Sequence, residues 1–377
     1  MQKIASLFFA TFILGSCVGQ KSILEELNKT IAVNNKEQCD QKDGYWYNGK
    51  CWANFKEFDN GIAIADIDKV VDEQLVLAEE FKIMINEKSY PIDSSLIEES
   101  EENSILILMN TFTDNEGLKT LLQISDLDES KNGTFSTKAV LVKGNLLEMA
   151  EVSSKNLLES SKIEGAFKAT LINEEDSHYT FAGSMNNTDT NKTYKVELEV
   201  SDVITSIGDT TLEVKGDKAY LNGTLGTKGY AQFRDLIKNH PEVKTIVLQD
   251  VPGSMNDAVN MHTGRIIREA GLTTMVEADS VISSGGVDLF CAGKERIVTK
   301  GAQLGIHSWG GEGLSADDLP RDHPAHQYQI EYFTMCLGET IGPNFYFRTL
   351  SAAPAGEMYW MNDEEIKEKI ATQFITQ

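Results

Sequence analysis

The chain has 377 residues, of which 41% are hydrophobic, and a formal net charge of −24. That length suits two domains, each with its own core. A surface this acidic repels nucleic acid and anionic headgroups, which excludes nucleic-acid binding.

Lys3 precedes a short apolar run over residues 4–14, too short to cross a bilayer, and the segment reads as an export signal. The run ends in Leu14, Gly15, Ser16 and Cys17, which resembles a bacterial lipobox. The resemblance implies cleavage before Cys17 and lipidation of that cysteine, with residues 1–17 as signal peptide. The mature protein is then an envelope lipoprotein outside the cytoplasm, held to the membrane by its lipid and facing the periplasm or seated in the outer membrane. Val18 in place of an acidic residue points to the outer membrane. The other reading is an ordinary secretory signal with Cys17 incidental. No later stretch is long and apolar enough for a transmembrane helix.

Residues 18–60 read as a tether and a small hairpin. Cys39 and Cys51 bracket aromatic pieces around a turn, and in an oxidising compartment they read as a disulfide. A metal reading fails because no second pair or nearby histidine completes four ligands. Cys291 and Cys336 lie in apolar helical contexts and read as buried free thiols, with pairing to each other left open.

Residues 61–205 follow mostly a period of two. One helix is expected over 68–80. Strands are expected over 81–85, 105–109, 118–122, 134–142, 165–172, 179–183 and 194–200, with an acidic loop over 98–102. Short strands between polar turns predict an antiparallel sandwich or open barrel, an accessory domain rather than a reaction centre. His178 stands in a polar turn and reads as solvated.

From 206 to 377 strands alternate with helices, so the fold class expected overall is α+β in two domains, the second of α/β type. A hairpin over 211–214 and 219–222 comes first. Helices are expected over 233–239, 255–270, 284–292, 326–341 and 364–371. Strands are expected over 245–249, 273–276, 296–298 and 304–306.

Ser284 lies beside Gly285 and Gly286, just after an apolar strand, and His307 follows Leu304, Gly305 and Ile306. A hydroxyl at a tight strand-to-helix corner, a base of near-neutral pKa and free backbone N–H groups are the parts of acyl transfer. Ser283 is a second candidate nucleophile. Lys294 and Lys300 allow a serine–lysine dyad in place of serine–histidine. Asp288, four residues after Ser284, shares its helix face and suits holding the histidine or a substrate amine, or equally a buried polar partner of the backbone.

Three runs in order resemble the superfamily of the Clp protease proteolytic subunit (ClpP) and crotonase, closest to its exported or periplasmic ClpP-like members. They are Leu248, Gln249, Asp250, Val251, Pro252, Gly253 and Ser254; Ser284, Gly285 and Gly286 through Ala292 and Gly293; and Leu304, Gly305, Ile306 and His307 before Gly310 and Gly311. The resemblance implies Ser284 as nucleophile, His307 as base, and the N–H groups of Gly285 and Gly253 as oxyanion hole, with Ser254 as the neighbouring option. It puts Glu357 where the third, histidine-orienting acid belongs, whereas Asp363 reads as a helix cap. Where the family has a second glycine after the proline this chain has Ser254.

The implied function is a serine hydrolase, a peptidase acting on peptide or protein in the envelope. No cofactor and no metal are expected, and coenzyme A chemistry is set aside because that cofactor is cytoplasmic. Self-association into a homo-oligomer is an expectation of the resemblance. The competing reading is a non-catalytic envelope lipoprotein that uses the same scaffold for binding or assembly. His323 and His326 flank Pro324 in an acidic loop without helical metal-ligand spacing and read as a solvated insertion, and His262 as a core or interface residue.

Overall fold

The computed structural model describes residues 28–53, 62–91, 94–99, 104–110, 119–124, 134–142, 163–173, 178–311 and 314–376. The expected signal with its Cys17, and residues 18–27 of the expected tether, lie outside the described residues. The chain clusters into two compact units. One holds Met1–Ile67, Thr210–Thr224 and Tyr230–Gln377, the other Asp68–Asp209 and Leu225–Gly229.

In the first unit, Asn35 caps helix α1 (Lys36–Asp40) by accepting the Gln38 N–H. Strands β1 (Tyr45–Tyr47) and β2 (Lys50–Trp52) pair antiparallel around Asn48 and Gly49. Both turn residues have positive φ, at 47° and 76°, as a two-residue hairpin of this twist requires. The expected disulfide between Cys39 and Cys51 is present and ties α1 to β2. The hairpin is not a free tether. The Tyr45 hydroxyl donates to Gln327 Oε1 at 3.0 Å, Lys50 pairs with Asp322, and Trp52 meets the His323 ring edge-on at 4.6 Å.

The β-rich unit opens with α2 (Ile67–Ala78). Its strands are β3 (Lys82–Ile85), β4 (Lys88–Pro91), β5 (Ser94–Glu99), β6 (Ser104–Asn110), β7 (Lys119–Ile124), β8 (Thr134–Val142), β9 (Ile163–Asn173), β10 (His178–Asn187) and β11 (Lys192–Val200), followed by the one-turn α3 (Asp202–Thr205). They form one antiparallel sheet in the order β4-β3-β11-β10-β9-β8-β7-β6-β5. Of the expected sandwich or open barrel, the two-sheet sandwich is corrected: among the described residues the strands form a single sheet, and no pairing joins β4 to β5 to close it. Chain neighbours from β5 to β11 are sheet neighbours. β5 also takes in Glu98 and Glu99, expected in a loop. His178 begins β10 rather than standing in a turn. The period-two reading is visible in β10, where Phe181 and Met185 are buried while Ala182, Ser184 and Asn186 are exposed.

The rest of the first unit is α/β. Strands β12 (Thr211–Lys215) and β13 (Lys218–Asn222) make a hairpin, then α4 (Thr227–Asn239), β14 (Thr245–Val251), α5 (Asp257–Glu269) and β15 (Thr273–Ser283) follow. Next come α6 (Gly285–Cys291), β16 (Arg296–Thr299), β17 (Gln303–Ile306), β18 (Gly310–Gly311) and β19 (Leu314–Ser315). Helices α7 (Gln327–Leu337) and α8 (Ile341–Leu350), β20 (Tyr359–Trp360), α9 (Asp363–Lys369) and β21 (Gln373–Ile375) complete the chain. The strand order is β12-β13-β14-β15-β16-β21, parallel from β13 onward. Ile246, Val247 and Leu248 of β14 have no exposure, as expected of a parallel strand covered on both faces.

Strand β15 serves two partners. Its first half, Thr274 to Val276, pairs with β16, and its second half, Val281 to Ser283, pairs with β17. β17 then pairs antiparallel with β20. The forked strand therefore delivers its last residues to the side of β17, whose own end carries the histidine. The helix expected over 326–341 stops at Gly338, which has φ +89°, and α8 restarts after it. Helix α9 is capped by Asn362, whose side chain accepts the N–H groups of Glu364 and Glu365. Asp363, expected as the cap, is its first helical residue.

Candidate active site

Ser284 is the single residue between β15 and α6, and it has φ 51° and ψ −126°. A residue with a Cβ is strained there, and a strained serine at a strand-to-helix turn is a known way to present a nucleophile. Its N–H donates to Gly305 O at 2.9 Å, which fixes the corner against β17. Its carbonyl accepts the Val287 N–H at 2.8 Å and starts the helix. The hydroxyl makes no capping bond, and the side chain lines a pocket.

The turn after β14 sits directly on this corner. A Cβ added to Gly253, whose φ is +153°, would lie 3.3 Å from Ser284 Cβ and 3.7 Å from its Oγ. A Cβ added to Gly285 would lie 2.5 Å from Ser254 Cβ and 3.0 Å from Asn260 Nδ2. Only glycine permits this approach. The contact is stitched by hydrogen bonds: Ser283 Oγ donates to Pro252 O at 2.7 Å, and Asn260 Nδ2 donates to Gly285 O at 3.0 Å. Ser283 thus holds the turn over Ser284 rather than facing the pocket.

His307 follows β17 and lines the same pocket as Ser284. Its Nδ1 is 3.0 Å from Ala355 O. A carbonyl can only accept, so Nδ1 carries the proton and the neutral ring keeps its lone pair on Nε2. Burial lowers the His307 pKa below 6.5, while the bonds to Ala355 and Ser308 act the other way, so the ring is neutral at pH 7.

Glu357 does not orient this ring. It is exposed, and the place expected for its carboxylate is taken by the Ala355 carbonyl. The reason is local: Glu357 N–H bonds back to Pro354 O at 3.0 Å, and Ser308 N–H donates to Ala353 O at 2.8 Å. These bonds form a tight turn that presents main chain to the imidazole.

Asp257 and Asp288 also line the pocket, with Ile306, Trp309, Tyr332 and Tyr346 among the walls. The pocket is partly open to solvent, and about 40 Å³ of it is reachable by the centres of water molecules, room for a few waters. Burial pushes the Asp288 carboxyl well above the usual range, and the nearby Asp257 adds to the shift. Asp257 is pushed up to about 6 by burial, and a hydrogen bond from Ser254 opposes it. Asp257 is nonetheless solvent-exposed, and the water that reaches it limits that shift. Behind the wall, Trp309 Nε1–H donates to the Tyr346 hydroxyl at 2.9 Å, and that hydroxyl lies 2.7 Å from His326 Nδ1. Burial lowers the His326 pKa to about 4, so the ring is neutral and accepts from Tyr346.

Several expected residues lie elsewhere. Lys294 and Lys300 are exposed and absent from the pocket wall. His323 and His326 are buried, at 2% and 0% exposure, not solvated, because α1 with its hairpin and α8 cover their loop. Among the described residues no cluster of potential ligands could hold a metal. His262 Nε2 is 2.7 Å from Ile62 O, a structural bond. Cys291 and Cys336 are buried free thiols, raised in pKa by burial, Cys336 to about 12. Sequence reasoning missed Asp257, which follows the helix-capping Asn256 and looks like an ordinary first-turn acid. It also missed the Ala355 carbonyl, for which side-chain identity gives no signal.

No family model matches the chain. No curated protein matches it either. Among solved structures, an enoyl-CoA hydratase from Bacillus anthracis is similar at 8% identity, over 44% of this chain and 70% of that one, with a TM-score of 0.31. An enoyl-CoA hydratase/isomerase from Marinobacter aquaeolei is similar at 12% identity, over 45% and 70%, with a TM-score of 0.31. An enoyl-CoA hydratase from Bacillus halodurans is similar at 15% identity, over 45% and 73%, with a TM-score of 0.30. Each likeness covers under half of this chain at low identity, and no family assignment rests on it.

Proposed function

We propose that the protein is a ClpP-like serine hydrolase, acting as a peptidase, in which Ser284 and His307 form a dyad. The observation that carries the reading is the strained Ser284 corner sharing one pocket with a histidine whose Nδ1–H is committed to a carbonyl. In the reaction, Ser284 Oγ attacks the substrate carbonyl carbon and its proton passes to His307 Nε2. The N–H groups of Gly285 and Gly253 receive the oxyanion, each donor worth roughly 3 kcal/mol in such sites. His307 then returns the proton to the leaving amine, the C–N bond breaks, and water hydrolyses the acyl-enzyme by the same path. The Ala355 carbonyl fixes the tautomer that a triad acid would fix. It carries no full charge to stabilise the imidazolium.

The same reading places the protein in the cell envelope, anchored through a lipid on Cys17. The Cys39–Cys51 disulfide supports an oxidising compartment. A fluorophosphonate probe tests the activity. The expected result is labelling of the wild type and of Ser283→Ala, and none of Ser284→Ala. Labelling that persists in Ser284→Ala would sink the proposal.

A further inference from the structure

We propose that the Cys39–Cys51 hairpin is a latch on the pocket: the wall beside Ser284 and His307 is complete only once the disulfide has closed, so the chain gains activity by oxidation. The gain of activity rests on the hydrolase reading; the latch itself does not.

Contacts run unbroken from the bridge to the pocket. Cys39, Cys51 and Trp52 are buried together, at 0%, 2% and 2% exposure. Trp52 meets the His323 ring at 4.6 Å, and His323 meets the His326 ring at 6.4 Å, edge-on in both cases. His326 Nδ1 accepts from the Tyr346 hydroxyl at 2.7 Å, and that hydroxyl accepts from Trp309 Nε1 at 2.9 Å. Tyr346 and Trp309 then line the pocket. The loop that carries both histidines is tied to the same wall by main chain, the Ala316 N–H donating to Trp309 O at 2.9 Å. Lys50 with Asp322, and Tyr45 with Gln327, anchor the hairpin beside this stack.

The disulfide decides whether the stack is backed. The two hairpin strands have three residues each and α1 has five, lengths that do not hold alone in water. The bridge ties β2 to α1, and β2 in turn holds the incoming chain, the Ile31 N–H donating to Cys51 O at 2.8 Å. With the bridge open, Trp52 leaves His323, and Trp309 and Tyr346 lose their support. His307 keeps its bond to Ala355 O, which lies outside this chain of contacts. The loss therefore falls on substrate binding rather than on the base. Both sulfurs are buried, so the bridge is set during assembly rather than cycled in the folded protein. Closing it removes two protons and two electrons from the thiols. A disulfide oxidant takes them up and leaves as two thiols.

The full chain is purified with its thiols kept reduced by dithiothreitol, and half is then oxidised with glutathione disulfide. Mass spectrometry identifies Cys39–Cys51 as the pair formed. Hydrogen–deuterium exchange reads the latch, and hydrolysis of p-nitrophenyl butyrate reads the activity. In the reduced chain, exchange over 316–326 should be at least tenfold faster, with β14 unchanged, and KM at least fivefold higher with kcat within twofold. Trp52→Ala leaves the bridge in place and should give the same two changes in the oxidised chain, with reduction adding little more. Unchanged exchange over 316–326 on reduction overturns the latch, and so does faster exchange spread equally over β14 and β15, which reports unfolding of the whole unit. Equal kcat/KM in the two redox states of an active chain overturns the gain of activity. Faster loop exchange with no ester hydrolysis in either state supports the latch and removes the hydrolase.

Discussion

The backbone sets Ser284 apart from an ordinary serine. Its φ of 51° strains any residue with a Cβ. Ser284→Ala and Ser284→Gly both remove the hydroxyl, but glycine relieves the strain. Ser284→Gly should therefore be the more stable of the two by about 1 kcal/mol in urea unfolding. His307 sets the pH response. A lowered pKa means the base is already neutral at pH 6.5, so the rising limb of kcat/KM should have its midpoint below 6.5. Asp288 gives a stability signature of opposite sense to the usual carboxylate. Its folded pKa is raised, so its favourable contribution is complete below the unfolded value of about 4 and is lost as pH rises through the folded value. Asp288→Asn should be more stable than wild type at pH 8, with the difference vanishing near pH 4, as read from denaturant midpoints. The positions of Ser284 at a strand-to-helix corner and of His307 at a strand end were legible in the sequence, because a hydroxyl beside paired glycines and a histidine after a strand carry their geometry in their spacing. The Ala355 carbonyl was not, because every residue has one, and Glu357 was placed by the spacing of its run in the family resemblance, which does not show that the main chain two residues earlier reaches the ring first.

At the scale of elements, the site depends on the contact between the turn after β14 and the start of α6. Gly285→Ala would drive a Cβ against Ser254 at 2.5 Å. Overpacking of this kind costs about 1–3 kcal/mol. The variant should lose that much in urea unfolding and lose most fluorophosphonate labelling, because the Gly253 amide shifts with the turn. Full stability with full labelling would show that the contact is dispensable. The order of strands and helices after residue 206 was readable from alternating periods. The extension of β15 to Ser283 was not, since Glu277 and Asp279 interrupt its apolar pattern where the strand changes partners. The break at Gly338 was missed because the apolar residues on both sides continue a helical look. In the β-rich unit the alternation gave the strands, but no local pattern says how they divide among sheets, so a two-sheet sandwich was weighed beside an open barrel where a single unclosed sheet stands.

At the scale of the molecule, the Cys39–Cys51 disulfide fastens a segment that otherwise looks like a leader. It spans twelve residues, and closing a loop of that size stabilises by about 3 kcal/mol. All four tryptophans, Trp46, Trp52, Trp309 and Trp360, belong to the unit that holds the site, so their fluorescence follows that unit alone. Reduction should shift their unfolding midpoint downward by the equivalent of about 2–4 kcal/mol. In the proposed hydrolase, Ser284 is a nucleophile because His307 takes its proton. The most direct measurement is the second-order rate of fluorophosphonate labelling, with the adduct mapped by tandem mass spectrometry, in wild type and His307→Asn. The expected result is an adduct on Ser284 and a rate lower by about 10³ or more in the variant. Equal rates in the two proteins, or an adduct on another residue, would contradict it.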